Sequence, residues 1–127
     1  MGNGTIWILC VANSNVRVQR IARAIKKAGY NVIISSSSHK AVALAAMSVK
    51  LDVVVIDEDM VFGDGSLAES IKAVKFLSVL LVCDAGTSGA PPAGVDLVTA
   101  DGSQQQILAG LEKLLKKPSL VRGSMST

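Results

Sequence analysis

The sequence has few aromatic residues and no long apolar run. Only 3% of its 127 residues are aromatic although half are hydrophobic, so the core must be built from Val, Ile, Leu and Ala. This composition suits layers of strands and helices and favours an α/β domain over a β-sandwich. No apolar run reaches the ~18 residues of a membrane span, and the start "MGNGTIW" lacks the charges of a signal peptide. We therefore expect one cytoplasmic domain with no membrane association.

Charge and cysteine are also scarce. The formal net charge is +3, too small an excess to indicate nucleic-acid binding through this domain. The two cysteines, Cys10 and Cys83, each end an apolar run, where buried and reduced thiols are expected. We therefore predict no disulfide.

Apolar strand patterns alternate with helical patterns along the chain. The predicted strands are 6–11, 31–35, 51–57, 77–84 and 95–100, and the predicted helices are 16–28, 39–50, 66–75 and 103–117. The third strand, "LDVVVID", is apolar without alternation, as expected for a central parallel strand covered on both faces. Pro118 is expected to end the last helix, so we assign a domain at 1–117 and a tail or linker at 118–127.

Apolar residues repeat at helical spacing in the first two helices. Val18, Ile21, Ala22 and Ile25 form one face of the first helix, and Val42, Ala45, Ala46 and Val49 repeat at helical spacing in the second. Between the fourth and fifth strands the helical pattern fails, because "AGTSGAPPAG" is rich in glycine and proline. The alternation predicts a doubly wound parallel sheet whose site lies beyond the carboxyl ends of its strands.

Acidic residues follow the third strand at that edge. In "VVVIDEDMVFGDG" the strand runs directly into Asp57, Glu58 and Asp59. The chain here resembles a response-regulator receiver domain of two-component signalling, over residues 5–117. Asp57 falls on the family's phosphoacceptor and Met60 on its usual Met. The resemblance implies a flavodoxin-like sheet of order 2-1-3-4-5, with the helix before the fifth strand shortened or replaced by a loop.

The resemblance breaks where the family binds Mg²⁺ and phosphate. The acid pair after the first strand is replaced by Ala12 and Asn13, the Ser or Thr after the fourth strand by Cys83, and the Lys after the fifth by Ala100. We therefore expect an atypical, or pseudo-, receiver with impaired Mg²⁺-dependent phosphorylation at Asp57. Asp57 and the Asp59 carbonyl would be weak ligands if Mg²⁺ is bound at all, and no other cofactor is expected.

The expected role is protein–protein interaction rather than catalysis. The resemblance implies a histidine kinase or phosphotransfer protein as a partner, and it allows a homodimer. Receivers commonly meet such partners through the first helix, where Arg17, Arg20 and Arg23 would form a docking stripe. The alternative is that these arginines have no docking role and are only the solvent-exposed side of an amphipathic helix.

Three other readings stay open. The first is a functional phosphoacceptor with a weakened metal site. The second is a phosphatase or phosphocarrier based on Cys10, because "ILCVANSNVR" places a cysteine before a turn and an arginine; however, six residues separate Cys10 from Arg17, where the phosphatase loop needs five. The third is a nucleotide-binding flavodoxin-like module, although no Gly-rich phosphate loop follows the first strand.

Overall fold

The chain folds as a five-stranded parallel sheet with helices on both faces. A computed structural model describes residues 6–47, 50–59, 67–75, 77–83, 93–99 and 101–126, with side chains as far as residue 115. The strands are β1 (Trp7–Val11), β2 (Asn31–Ser35), β3 (Leu51–Asp57), β4 (Ser78–Val82) and β5 (Leu97–Val98); the helices are α1 (Asn15–Lys27), α2 (Ser38–Met47), α3 (Leu67–Val74) and α4 (Gln104–Ser126). The sheet order is β2-β1-β3-β4-β5, so the predicted fold class and strand order are confirmed.

Strand β3 is the centre of the sheet. It pairs in parallel with β1 on one side and β4 on the other, and six of its seven residues are buried. A strand covered on both faces has few solvent-facing positions, which explains its apolar run; only Asp52, near its start, is exposed. Val11 lies opposite Ile56, and Asp57 lies opposite Val82, so Asp57 stands at the carboxyl edge of the sheet.

The two faces of the sheet have separate cores. Helices α1 and α4 cover one face, where Val18, Ile21, Ala22, Ile25, Ile107, Leu111 and Leu114 pack on Ile8, Cys10, Val53, Val55, Leu80 and Val82. Helices α2 and α3 cover the other, where Ala41, Ala45, Leu67, Ala68 and Ile71 pack on Leu9, Val11, Val54, Ile56, Val79 and Leu81. Aliphatic residues fill both cores, as the scarcity of aromatic residues predicts.

Helix α1 begins and ends where its sequence predicts within one residue. Ser14 is the N-cap, and its hydroxyl oxygen accepts a hydrogen bond from the backbone N–H of Arg17 at 3.4 Å. Ala28 is the C-cap, and Gly29 follows with a φ of 101°, a left-handed conformation that glycine adopts without strain. All four residues of its predicted apolar face are buried.

One prediction about the other helices is wrong and one is confirmed in part. Helix α4 does not end at Pro118, because the backbone stays helical to Ser126; a proline removes one hydrogen bond and bends a helix, but the next turn can still form. In helix α2 the predicted positions Val42 and Ala45 pack against the core, whereas Ala46 is exposed and Ala41 is buried instead. The assigned tail therefore begins inside a helix.

Some predictions lie outside the described residues. They include Val49, the first residue of the predicted helix 66–75 and most of the segment in which the shortened helix is expected, 84–92. The described residues on either side of that segment, Cys83 and 93–96, are not helical. No helix in the described part of the chain has the length and apolarity needed to cross a membrane.

Gly94 allows the turn before β5 to approach α3 closely. Its φ is +84°, and a Cβ built there would lie 2.8 Å from the backbone nitrogen of Glu69 and 2.9 Å from the carbonyl carbon of Ala68. Nearby, the Asp96 carboxylate accepts hydrogen bonds from the Lys72 ammonium at 2.8 Å and the Val79 N–H at 2.8 Å. The turn thus connects α3, β4 and β5.

We predict that Gly94→Ala lowers the free energy of unfolding by at least about 2 kcal/mol, since left-handed φ costs ~1–2 kcal/mol for a residue with a Cβ and the backbone of α3 cannot yield to it. Urea unfolding followed by the fluorescence of Trp7 measures the change. The neighbouring exposed Ala93 gives the control: Ala93→Ser should stay within ~0.5 kcal/mol of the wild type. Equal stability of the two variants would contradict the close approach.

Candidate functional site

The candidate site lies at the carboxyl edge of the sheet, where β1 and β3 end side by side. Asp57 is the last residue of β3 and its side chain is completely buried. Only two other polar residues, Ser35 and Thr99, are comparably buried among those that the structure describes. A buried carboxylate needs hydrogen bonds or a cation to offset its lost hydration, so its partners define the site.

Arg17 supplies the cation. Its Nε donates to Asp57 Oδ2 at 2.6 Å and its Nη2 donates to Asp57 Oδ1 at 3.1 Å, which is a two-pronged pairing. The same guanidinium lies 3.5 Å from Glu58 Oε2 and 4.0 Å from Asp59 Oδ2. Three carboxylates therefore surround one guanidinium at the edge of the sheet.

The position of Arg17 differs from its predicted position on the outer side of α1. Its side chain is 27% exposed, because helical side chains lean toward the N-terminus and the N-terminus of α1 lies next to the edge of the sheet. Arg17 is therefore close to the acids in space, although 40 residues separate it from Asp57 in sequence. The missed signal was an arginine in the first turn after β1 together with three acids at the end of the neighbouring strand.

Asp59 joins the same network through the backbone. Its two carboxylate oxygens accept hydrogen bonds from the N–H groups of Asn13 at 2.9 Å and Ser14 at 3.0 Å. Its own N–H donates to Asp57 Oδ2 at 3.1 Å. A carboxylate at the start of a helix is electrostatically favourable, so Asp59 fixes the β1–α1 connection to the end of β3.

Burial raises the pKa of the Asp57 carboxyl above its ordinary value. The Arg17 hydrogen bond and charge and the Asp59 N–H act in the opposite direction, and the Asp59 charge adds to the rise. Desolvation is the largest cause because the carboxylate has no access to water. Arg17 therefore reduces, without cancelling, the unfavourable free energy of a buried charge.

The four positions that depart from the receiver pattern are only partly brought together. Ala12 is buried in the core, and Asn13 is exposed and reaches the site through its N–H. Cys83 is buried in the core on the α2 and α3 face. Ala100, like Asp84 and Met60, lies outside the described residues.

Thr99 is a polar residue at this edge that sequence reasoning missed. It is buried at the end of β5, and its hydroxyl accepts a hydrogen bond from the Cys83 N–H at 3.1 Å and lies 3.4 Å from the Cys83 carbonyl oxygen, to which it donates. Both contacts are to backbone atoms, so the hydroxyl holds the ends of β4 and β5 together. Its only sequence signal is a polar residue at the end of a short apolar strand.

The residues at the site do not fit the Mg²⁺ ion of receiver domains. Both oxygens of Asp57 accept hydrogen bonds from Arg17, and both oxygens of Asp59 accept from backbone N–H groups. Within the described ranges, no group of three or more His, Cys, Asp or Glu side chains is arranged to hold a metal ion. A hard cation needs several oxygen ligands with free lone pairs, and the carboxylate oxygens of Asp57 and Asp59 already accept hydrogen bonds.

Cys10 does not have the properties of a nucleophile. Its side chain is completely buried in the core on the α1 and α4 face, and burial raises the pKa of its thiol to about 12. The reactive form of cysteine is the thiolate, which such a thiol does not form near neutral pH. This finding argues against a phosphatase or phosphocarrier that uses Cys10.

A basic groove lies between α1 and the start of α4. It has a volume of about 720 Å³ and is lined by residues that include Arg20, Arg23 and Lys27 from α1 and Ser103 from the start of α4. No lining residue that the structure describes is acidic. Val16 is 78% exposed at the same groove. The role of Arg20 and Arg23 in docking stays a prediction, whereas the Arg17 guanidinium is directed to Asp57.

Solved structures of receiver domains are similar to this chain. The N-terminal domain of a response regulator/sensory box/GGDEF 3-domain protein from Carboxydothermus hydrogenoformans is 23% identical, with a TM-score of 0.72, over 90% of this chain and 97% of that one. Vibrio cholerae chemotaxis protein CheY4 is 20% identical, with a TM-score of 0.70, over 87% and 98%.

A third similar structure comes from a complex. A chain in the structure of the phosphorylated P1 domain of CheA3 with CheY6 from R. sphaeroides is 16% identical, with a TM-score of 0.68, over 88% of this chain and 98% of that one. No protein-family model and no curated protein sequence matches the chain. The similarity is one of fold: the chain has the fold of response-regulator receiver domains.

Proposed function

We propose that this chain is a receiver-like signalling domain that acts through protein partners and is impaired in Mg²⁺-dependent phosphorylation at Asp57. The observation that supports this best is the pairing of both Asp57 oxygens with the Arg17 guanidinium. The receiver fold supports the two-component context. In this proposal the domain is not an enzyme. Asp57 occupies the phosphoacceptor position of receiver domains but is not an efficient phosphoacceptor.

Phosphoryl transfer to an aspartate has two requirements that the site meets poorly. One carboxylate oxygen must be free to attack phosphorus, and cations must neutralise the equatorial oxygens of the phosphoryl group. At Asp57 an attack would first break a two-pronged ion pair at a carboxylate that has no exposed surface. The lysine that receivers supply after the fifth strand is also replaced, by Ala100.

One observation favours the alternative, a functional phosphoacceptor. A guanidinium binds phosphate as readily as it binds a carboxylate, so Arg17 could stay beside a phosphorylated Asp57 and neutralise part of its charge. This alternative needs Arg17 to release at least one Asp57 oxygen while the incoming group arrives. Phosphorylation assays distinguish the two functions directly.

The partner that best fits the chain is acidic and helical. Arg20, Arg23 and Lys27 give the groove between α1 and α4 a positive charge, and Val16 adds an apolar contact at its edge. One similar structure is from a complex of CheY6 with the phosphorylated P1 domain of CheA3. By analogy, we propose a histidine kinase or phosphotransfer protein as the partner of this chain.

The first prediction from the proposed function concerns phosphorylation. Incubation with acetyl phosphate and Mg²⁺ should leave the intact mass of the folded protein unchanged, because Asp57 lacks both a free oxygen and a metal site. Mass spectrometry of the wild type beside Asp57→Asn measures this, with a phosphorylatable receiver in the same reagent to show that the reagent is active. A gain of one phosphoryl group in the wild type, absent from Asp57→Asn, would favour the functional phosphoacceptor instead.

The second prediction concerns stability and pH. Because burial raises the pKa of Asp57 in the folded state, the folded protein binds the proton more tightly than the unfolded chain. Its stability therefore falls as pH rises from the ordinary pKa through the raised one. Asp57→Asn lacks this loss, so it should be more stable than the wild type at pH 7, with no advantage at a pH well below the ordinary pKa of an aspartate.

Urea unfolding at several pH values tests that dependence. The control is Asp52→Asn at the other end of β3, where the exposed carboxylate accepts from the Trp7 N–H at 2.9 Å. This variant should gain no stability at pH 7. An Asp57→Asn variant that is less stable than the wild type at pH 7 would show that the ion pair with Arg17 outweighs desolvation.

The third prediction concerns the groove. A fluorescent amphipathic peptide of about 18 residues, or roughly five helical turns, with glutamates on one face and leucines on the other should bind more weakly as salt is raised. The pair Arg20→Glu and Arg23→Glu should weaken binding about tenfold by charge reversal. Fluorescence anisotropy measures both. Lys40→Glu on α2, on the opposite side of the sheet, is the control; an equal loss there would indicate attraction to net charge alone.

A further inference from the structure

We propose that Arg17 is the resident cation of this site, and that its guanidinium keeps divalent ions out of the carboxylates of Asp57, Glu58 and Asp59. The inference rests on the proposed function and deepens it by naming the residue that determines ion selectivity. It differs from the sequence-level explanation, in which the absent acid pair alone abolishes the metal site.

The charge balance at the edge of the sheet supports this assignment. Three carboxylates lie 2.6, 3.5 and 4.0 Å from guanidinium nitrogens of Arg17. At such separations opposite charges attract strongly where water is limited, and Asp57 has no exposed surface. A cation is therefore required at this position, and the chain provides it from its own first helix.

Geometry also favours a guanidinium over an ion. The planar guanidinium donates two nearly parallel hydrogen bonds to one carboxylate, at 2.6 and 3.1 Å, and it needs no further oxygen ligands. A divalent ion at the same position would need oxygen ligands, and the guanidinium already occupies both Asp57 oxygens. Arg17 is thus compatible with the site as folded, whereas an ion is not.

Removing Arg17 leaves three acids without this cation. Both Asp57 oxygens then lose their guanidinium hydrogen bonds, so the carboxylates become a potential ion site as soon as the guanidinium is gone. An ion that binds the folded state alone also raises its stability in proportion to its concentration. Divalent binding and divalent-dependent stabilisation should therefore appear together, and only when the charge at position 17 is lost.

Titration of the full chain with Mn²⁺ at neutral pH, followed by the EPR signal of free Mn²⁺, tests the proposal. Arg17→Met should bind Mn²⁺ at least tenfold more tightly than the wild type, and Mn²⁺ should raise its unfolding temperature. Arg17→Lys, which keeps the charge, should exclude Mn²⁺ as the wild type does. Arg20→Met removes the same charge from an exposed position on the same helix and should leave Mn²⁺ affinity unchanged.

Three outcomes would overturn the proposal. They are Mn²⁺ binding by the wild type as tight as by Arg17→Met, no gain in a folded Arg17→Met, and a gain that persists when Asp57→Asn is added. If Arg17→Met does not fold, Arg17→Gln is used in the same titration. Because Mn²⁺ binding is read without phosphate or partner, a failure of the proposed partner docking would leave this result standing.

Discussion

The ion pair between Arg17 and Asp57 is the interaction on which the carboxyl edge of the sheet depends. It joins the end of β3 to the first turn of α1, and the Asp59 carboxylate adds two hydrogen bonds to the backbone between β1 and α1. The two members of the pair are not equivalent, because Asp57 is completely buried whereas Arg17 is 27% exposed. Without Asp57 the guanidinium can turn toward water. Without Arg17 the Asp57 carboxylate at the end of β3 loses its cation, and an uncompensated buried charge is strongly destabilising.

The fold follows from features that are local in sequence. The unbroken apolar run of β3 and the regular alternation of strands with amphipathic helices are sufficient for a doubly wound parallel sheet. The wrong predictions occur where a rule based on local sequence allows more than one structure. Pro118 weakens a helix without having to end it, and α2 contains so many alanines that sequence spacing does not define which of them face the sheet.

The site was predictable only in part. The strand-end rule places Asp57 at the functional edge, and the structure has it there. Arg17 was assigned to a surface stripe because a helical pattern separates apolar from polar positions and treats all polar positions as solvated. Its contact with Asp57 depends on the placement of α1 across the edge of the sheet, and the partners are 40 residues apart in sequence. Thr99 was missed for the same reason, since its partner Cys83 belongs to another strand.

A resident guanidinium has a different consequence for signalling than a bound ion. An ion can leave and return, so its occupancy can carry information, but Arg17 is covalently part of α1 and always present. In the proposed function, the site at the edge of the sheet therefore does not change state. The signal then depends on the protein partner that binds the outer surface. Helix α1 connects the two regions: Arg17 in its first turn faces the acids, while Arg20 and Arg23, about one and two turns further on, line the groove. In the proposed function, a partner on that groove therefore meets a helix whose start is held by the ion pair.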